Sequence, residues 1–243
     1  MKKSVAAQIT QLSGDIYKLT FYNNENSFSA PGQYAVIEYG DVCRAYQVCD
    51  YDSRRFTIVF STEEEGGKEL ANIAPGTEVG SITGQGCGFD VDSVPDNTIL
   101  AADSSGIPEM LELARCLITR GRKFKAVLGY ETKNSIYMVD SFRNICSELE
   151  VLTLDGSNGR EGKVSDVIRN ASYVCASGSP QMLRALAEKT ENGQFSLSEM
   201  LQTKPETAED CDLSSDDRIR RCMIEGPVFN KNNINWDRLG EVI

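Results

Sequence analysis

Two rhythms of apolar positions divide the chain. Up to about residue 95 the apolar residues come in short alternating runs, rich in β-branched and aromatic side chains and closed by turn residues. These runs predict strands over 4–9, 16–21, 34–39, 44–49, 55–61 and 78–83. Strands at that spacing suggest a small antiparallel barrel, interrupted by one helical piece at 68–73 that Pro75 and Gly76 stop. From Asn97 the pattern becomes strands at 98–102, 126–130, 151–154 and 173–176, alternating with helices at 107–119, 164–169 and 180–189. The first of these helices is the clearest: Ile107, Met110, Leu111, Ala114, Leu117 and Ile118 recur at helical spacing, and Gly121 ends it. The expected fold class is a β-barrel plus α/β: a six-stranded antiparallel barrel over 1–95, a doubly wound parallel-sheet domain over 96–195, and a tail over 196–243. In the tail, 203–221 is strongly polar and reads as a mobile loop, followed by an apolar anchor at Val228, Phe229 and Trp236.

Composition removes several kinds of chemistry. The 243 residues include no histidine, which excludes Ser-His-Asp hydrolysis, Cys-His nucleophiles, His-ligated zinc and His-ligated haem. A net charge of −11 would repel nucleic acid. The apolar run at 5–7 stops at Gln8, too short for a signal peptide, and no stretch approaches the roughly 20 apolar residues of a membrane span. A cytoplasmic protein with neither nucleic acid nor membrane as partner is expected. Cys43, Cys49, Cys116, Cys146 and Cys175 are scattered and read as reduced, buried, small apolar residues.

Four stretches carry candidate chemistry. Arg44-Ala45-Tyr46-Gln47 lies on a predicted strand, where alternation puts Arg44 and Tyr46 on one face and Gln47 on the other. That pairs a permanently charged fork, suited to phosphate, with a flat aromatic surface. Gly66-Gly67-Lys68 opens the short helix, where backbone N–H groups can cradle a phosphate. The turn after the first α/β strand reads Asp103-Ser104-Ser105-Gly106-Ile107-Pro108-Glu109. Its Asp and Ser residues are good N-caps that satisfy the helix's own N–H groups, and Asp103 and Glu109 are expected to face an incoming phosphate with like charge. Finally, Cys211 and Cys222 precede a Gly-Pro-Val-Phe stretch. A plant-type [2Fe–2S] cluster needs four thiolates, three of them spaced Cys-x4-Cys-x2-Cys. Counting back from Cys211 lands on Ala208 and Thr203, neither of which can supply a thiolate.

In this order the motifs resemble those of the ferredoxin reductase family and, within it, the electron transfer subunits of NAD-linked dihydroorotate dehydrogenases, over nearly the whole chain. The resemblance implies FAD, held by Arg44, Ala45, Tyr46 and Gln47, by Ile58, Val59 and Phe60 on the next strand, and by Gly66, Gly67 and Lys68. In the family the arginine meets the pyrophosphate, the aromatic packs on the isoalloxazine, and a hydroxyl residue, here Gln47, bonds near the reactive nitrogen. Gly86-Cys87-Gly88-Phe89 stands at the loop closing the barrel. The nicotinamide site falls on Gly106, on Asp155 in the loop 155–159, and on Ser177-Gly178-Ser179-Pro180-Gln181-Met182, where the family has Cys-Gly-Pro-x-Pro-Met. Gln47 replaces the hydroxyl residue, Lys68 replaces a threonine, and only Gly106 survives of the family's glycine run. The would-be cluster loop also carries Glu206, Glu209, Asp210 and Asp212, against the charge of a thiolate-ligated cluster. FAD is therefore expected, NAD(H) is disfavoured, and a [2Fe–2S] cluster is not expected on this chain alone. The implied role is a relay of electrons between NAD(H) and a flavin-containing catalytic subunit of dihydroorotate dehydrogenase type, in a hetero-oligomer, with no catalytic residue of its own. The alternative is a non-catalytic or regulatory relative that keeps the fold without the cluster or NAD binding.

Overall fold

The structure, a computed structural model, describes residues 1–25, 27–198 and 226–236. Strands β1 (Lys2–Ser13), β2 (Ile16–Tyr22), β3 (Tyr34–Tyr39), β4 (Val42–Tyr51) and β5 (Arg55–Ser61) are followed by helix α1 (Gly67–Ala71) and strand β6 (Glu78–Gln85). They close into an antiparallel barrel in the order β1-β2-β5-β4-β3-β6. Strand alternation sends Leu19, Phe21, Ile37, Phe56 and Ile58 inward, and α1 adds Leu70. Where β1 meets β6, the Ser4 and Ser81 hydroxyls lie 2.6 Å apart and Asn23 Nδ2 donates to Ser4 Oγ at 2.9 Å, so the buried polar groups at the seam satisfy one another.

Phe89, Val91 and Val94 carry the chain out of the barrel into a second core. There follow β7 (Thr98–Asp103), α2 (Ile107–Thr119), β8 (Phe124–Tyr130), α3 (Val139–Arg143), β9 (Glu148–Thr153), β10 (Arg160–Glu161), α4 (Val164–Val167), β11 (Ala171–Ser177), α5 (Pro180–Lys189), β12 (Thr190–Ser196) and β13 (Val228–Asn230). The sheet order is β10-β9-β8-β7-β11-β12-β13, parallel throughout except for β13, which runs antiparallel to β12. Both faces are covered. Leu100 and Ala102 of β7 pack with Ile107, Met110 and Leu111 of α2, while Ala101 packs with Leu183 and Leu186 of α5. Helix α2 also lies against β4, with Arg115 Nη1 donating to the Cys49 carbonyl at 2.9 Å, so every residue from Ile107 to Ala114 is buried.

The structure corrects several expectations. The helix expected over 164–169 stops at Val167 because Ile168 is already extended and Asn170 has φ +51°. Strand β12 was unforeseen: its Thr-Glu-Asn-Gly-Gln-Phe-Ser sequence reads as a loop, yet it pairs with β11 from Ala171↔Thr190 to Ser177↔Ser196. The apolar anchor becomes β13, and Trp236 meets Phe195 edge-on at 5.4 Å. Cys49 and Cys175 are buried as expected, but Cys43 is exposed, because the alternation that buries Arg44 and Tyr46 turns it outward. Thr203, Ala208, Cys211 and Cys222 lie outside the described residues. Among the described residues no helix is long and apolar enough to cross a membrane.

Candidate functional site

Two cavities lie near the C-terminal ends of the parallel strands, the first against the barrel and the second within the α/β part, and both have Tyr130 and Glu131 in their walls. The first, about 310 Å³, is walled by Ala45, Tyr46 and Gln47 of β4, Val59 and Phe60 of β5, and Pro108 of α2. Tyr46 is 4% exposed and its ring stands edge-on to Phe60 at 6.2 Å. Burial pushes its phenol well above the usual tyrosine range, and its hydroxyl has no hydrogen-bond partner among the described residues. Gln47, on the opposite face of β4, donates from Nε2 to Ser198 Oγ, while its Oε1 is buried without a partner. Asp15, Glu63, Glu64 and Glu131 also line this cavity, and among the described residues no Lys or Arg does. The Glu64 carboxyl is raised by burial, with the Arg44 charge opposing.

Arg44 lies behind the wall rather than in it. It is 8% exposed, and Nη1 donates to the Glu65 carbonyl at 2.9 Å, which ties β4 to the turn that opens α1. Glycine is required in that turn. Gly66 has φ +77°, and a Cβ on Gly67 would stand 2.1 Å from the Ser61 carbonyl oxygen. Arg44 and the glycine turn, far apart in sequence, are thus neighbours. Lys68 is exposed, and Ile58 points into the barrel core.

The second cavity, about 410 Å³, opens where β7 has β8 on one side and β11 on the other, the place at which a doubly wound sheet receives a nucleotide. Asp103 sits at its head. Oδ1 accepts from the Ser179 backbone N–H at 2.7 Å and Oδ2 from the Ser179 hydroxyl at 2.6 Å. Ser179 is the N-cap of α5, so the end of that helix that would receive a diphosphate already holds a carboxylate of the same chain. Burial raises the Asp103 carboxyl above its usual range, and its bonds to Ser179 oppose that rise. Gly106 serves packing: a Cβ there would lie 2.0 Å from the Ser177 carbonyl oxygen. Asp155 is exposed and accepts from the N–H and hydroxyl of Ser157 in its own loop, which lowers its carboxyl.

Glu109 does not face the nucleotide cleft, contrary to the sequence expectation. It is 1% exposed and turned toward β11, where Oε2 accepts from Ser177 Oγ at 2.6 Å and from Ser198 Oγ at 3.3 Å. Burial pushes its carboxyl up to about 7, with the serine hydroxyls opposing. The pair of Glu109 and Ser198 escaped sequence reasoning. The available hint was a glutamate at the third position of a helix that opens with Ile107 and Pro108. A larger cavity of about 520 Å³ lies on the far side of Tyr137, between the barrel and α3, but it touches none of the motif residues.

No family model matches the chain. The dihydroorotate dehydrogenase B (NAD(+)) electron transfer subunit of Bacillus caldolyticus is 32% identical over 215 residues, covering 82% of this chain and 79% of that protein. The subunit of the same name from Fusobacterium nucleatum is 29% identical over 248 residues, covering 92% and 94%. Among solved structures, the NADH-dependent reduced ferredoxin-NADP oxidoreductase superposes with a TM-score of 0.80 at 21% identity, over 98% of this chain and 91% of that one. Phthalate dioxygenase reductase superposes with a TM-score of 0.65 at 16% identity, over 80% and 67%. At these identities the structural likeness is one of fold.

Proposed function

Because the chain belongs to the family of dihydroorotate dehydrogenase B electron transfer subunits, we propose that it relays electrons between a nicotinamide dinucleotide and a flavin-containing catalytic subunit, holding FAD between β4, β5 and Pro108. In this reading 1–95 is the flavin domain, 96–195 the dinucleotide domain and 196–243 a tail.

The observation that carries the reading is a cavity two of whose lining residues, Tyr46 and Gln47, each hold a buried polar atom, Oη and Oε1, with no hydrogen-bond partner among the described residues. Each such atom left unsatisfied costs about 1–3 kcal/mol. A flat ring with polar edges offsets that cost while its faces meet Ala45, Val59, Phe60 and Pro108. The Gly66-Gly67 turn packs closely on Val42 and Ser61 and so holds Arg44 beside the cavity, where its charge opposes that of the Glu64 carboxylate. When bound, FAD supplies exchange of electron pairs with a hydride donor and of single electrons with a partner. This chain's own part is to seat the ring, exclude water from it and orient its edge.

A dinucleotide in the second cavity would reach the first past Tyr130 and Glu131, but Asp103 opposes its diphosphate. Asp103 is also the observation that favours a second reading, a regulatory relative without dinucleotide binding. The two cysteines of the tail, Cys211 and Cys222, do not make the four thiolates a [2Fe–2S] cluster needs, so no step is routed through one.

The test is a visible spectrum of protein purified without air and loaded with FAD. The expected result is stoichiometric flavin uptake, with the flavin bands bleached by millimolar NADH. Bands that dithionite bleaches and NADH does not would confine the role to flavin and partner. A colourless protein would overturn the proposal.

A further inference from the structure

The sequence motif places Gln47 where a hydroxyl residue is usual, and the structure shows what surrounds it. Glu109 Oε2 accepts the hydroxyl protons of Ser177 and Ser198. Ser198 has one proton to give, so toward β4 its oxygen offers only a lone pair, and Gln47 meets it with Nε2. Gln47 lines the cavity, its Nε2 is committed to Ser198, and its carbonyl oxygen is buried with no hydrogen-bond partner among the described residues. The chain of bonds is held from several sides. Glu109 sits in the first turn of α2. A Cβ on Gly32 would stand 2.9 Å from Glu109 Oε1. Ser198 follows β12, where the Leu197 N–H donates to the Pro227 carbonyl at 2.9 Å.

We infer that Glu109 and Ser198 are positioning residues that lock the Gln47 amide with its acceptor toward the ligand, so that the site selects a ring edge bearing an N–H donor. A rotating hydroxyl can donate or accept, whereas a locked amide presents one polarity. The inference rests on the flavin reading above. A flavin ring nitrogen that has only a lone pair in the oxidised form gains a proton on two-electron reduction. With such an edge bound beside it, Gln47 Oε1 would repel the oxidised form and accept from the reduced one, so the locked amide would raise the ratio of reduced to oxidised affinity. As an anion Glu109 can only accept, which fixes the donor-to-acceptor order running from Gln47 through Ser198, so measurements belong at pH 8, above its value of about 7.

The experiment is the midpoint potential of FAD on the full chain, compared among the unaltered protein, Ser198→Ala and Glu109→Leu, which removes the acceptor of the Ser198 hydroxyl, at pH 8. Flavin uptake is first verified for each by absorbance. Both changes free the amide to turn. The expected outcome is a tenfold or greater fall in the affinity ratio, which lowers the two-electron potential by about 30 mV for each factor of ten. Dissociation constants of oxidised and reduced FAD, measured separately, should show the loss on the reduced form. Potentials equal to or above that of the unaltered protein in both variants would overturn the inference while leaving the flavin reading intact. Absence of flavin uptake by the unaltered protein would overturn both, and the absorbance step tells the two failures apart.

Discussion

Asp103→Ala is expected to lower the NADH concentration for half-maximal flavin reduction by ten- to a hundredfold. The carboxylate lies at the N-terminus of α5, bonded to the Ser179 N–H and hydroxyl, where a diphosphate would make the same bonds. Two unit charges about 6 Å apart repel by on the order of 3 kcal/mol if the effective dielectric is near 20. Each ~1.4 kcal/mol is a tenfold change in affinity. Truncation also frees the Ser179 N–H to meet phosphate oxygen. Asp103→Asn separates the two effects, since it removes the charge but keeps an acceptor on Ser179, and it should give the smaller gain. Stopped-flow reduction of FAD-loaded protein over a range of NADH concentrations measures both. An unchanged half-saturation in both variants would mean that the diphosphate does not approach this helix end.

Glu109→Gln should stabilise the fold at pH 8 and leave it unchanged below about pH 4.5. The ordinary glutamate value is 4.5 and burial raises it to about 7 in the folded chain. Between those values the native state holds a proton that the unfolded chain has released, so stability falls as pH rises and levels off above about 7. The displacement corresponds to on the order of 3 kcal/mol at pH 8. At about 2–4 °C per kcal/mol for a chain this size, thermal unfolding should show a clear upward shift at pH 8. Glutamine keeps an acceptor for Ser177 and Ser198, so packing is preserved. Glu112, which burial also pushes up to about 7 against the charge of Arg115, titrates alike in both proteins and cancels in the comparison. A shift of equal size at pH 5 and pH 8 would show a packing effect instead of an ionisation.

What the sequence made legible was periodicity, and what it hid was contact between domains. The barrel strands and α2 stand out because each has one buried face with a regular spacing. Glu109 and Glu112 look like the wet side of α2 because an amphipathic stripe says nothing about what covers the other side, and here β4 lies beside Glu112 while Ser177 and Ser198 meet Glu109. Strand β12 was missed for a related reason. It is polar in composition, and it is fixed by in-register pairing with β11 and by Gly193, whose Cβ would stand 2.1 Å from the Val174 carbonyl oxygen. The pairing of Arg44 and Tyr46 was legible as residues on one face of β4, yet its geometry was only half legible. Tyr46 reaches the cavity, while Arg44 stops short of it and braces the glycine turn through the Glu65 carbonyl. Asp103 drew attention as a charge at a helix start, but its partner on α5, Ser179, is 76 residues away and no local pattern links them.

The central claim is that the ring of FAD lies in the cavity beside Ala45, Tyr46 and Gln47. Calorimetric titration of FAD into the unaltered protein and into Ala45→Trp tests it directly, because an indole at residue 45 fills the cavity from a half-buried position. The account predicts stoichiometric binding to the unaltered protein, and at least a hundredfold weaker binding to the variant with its thermal unfolding still cooperative. Equal affinity for the two proteins, or no heat of binding with either, would contradict it.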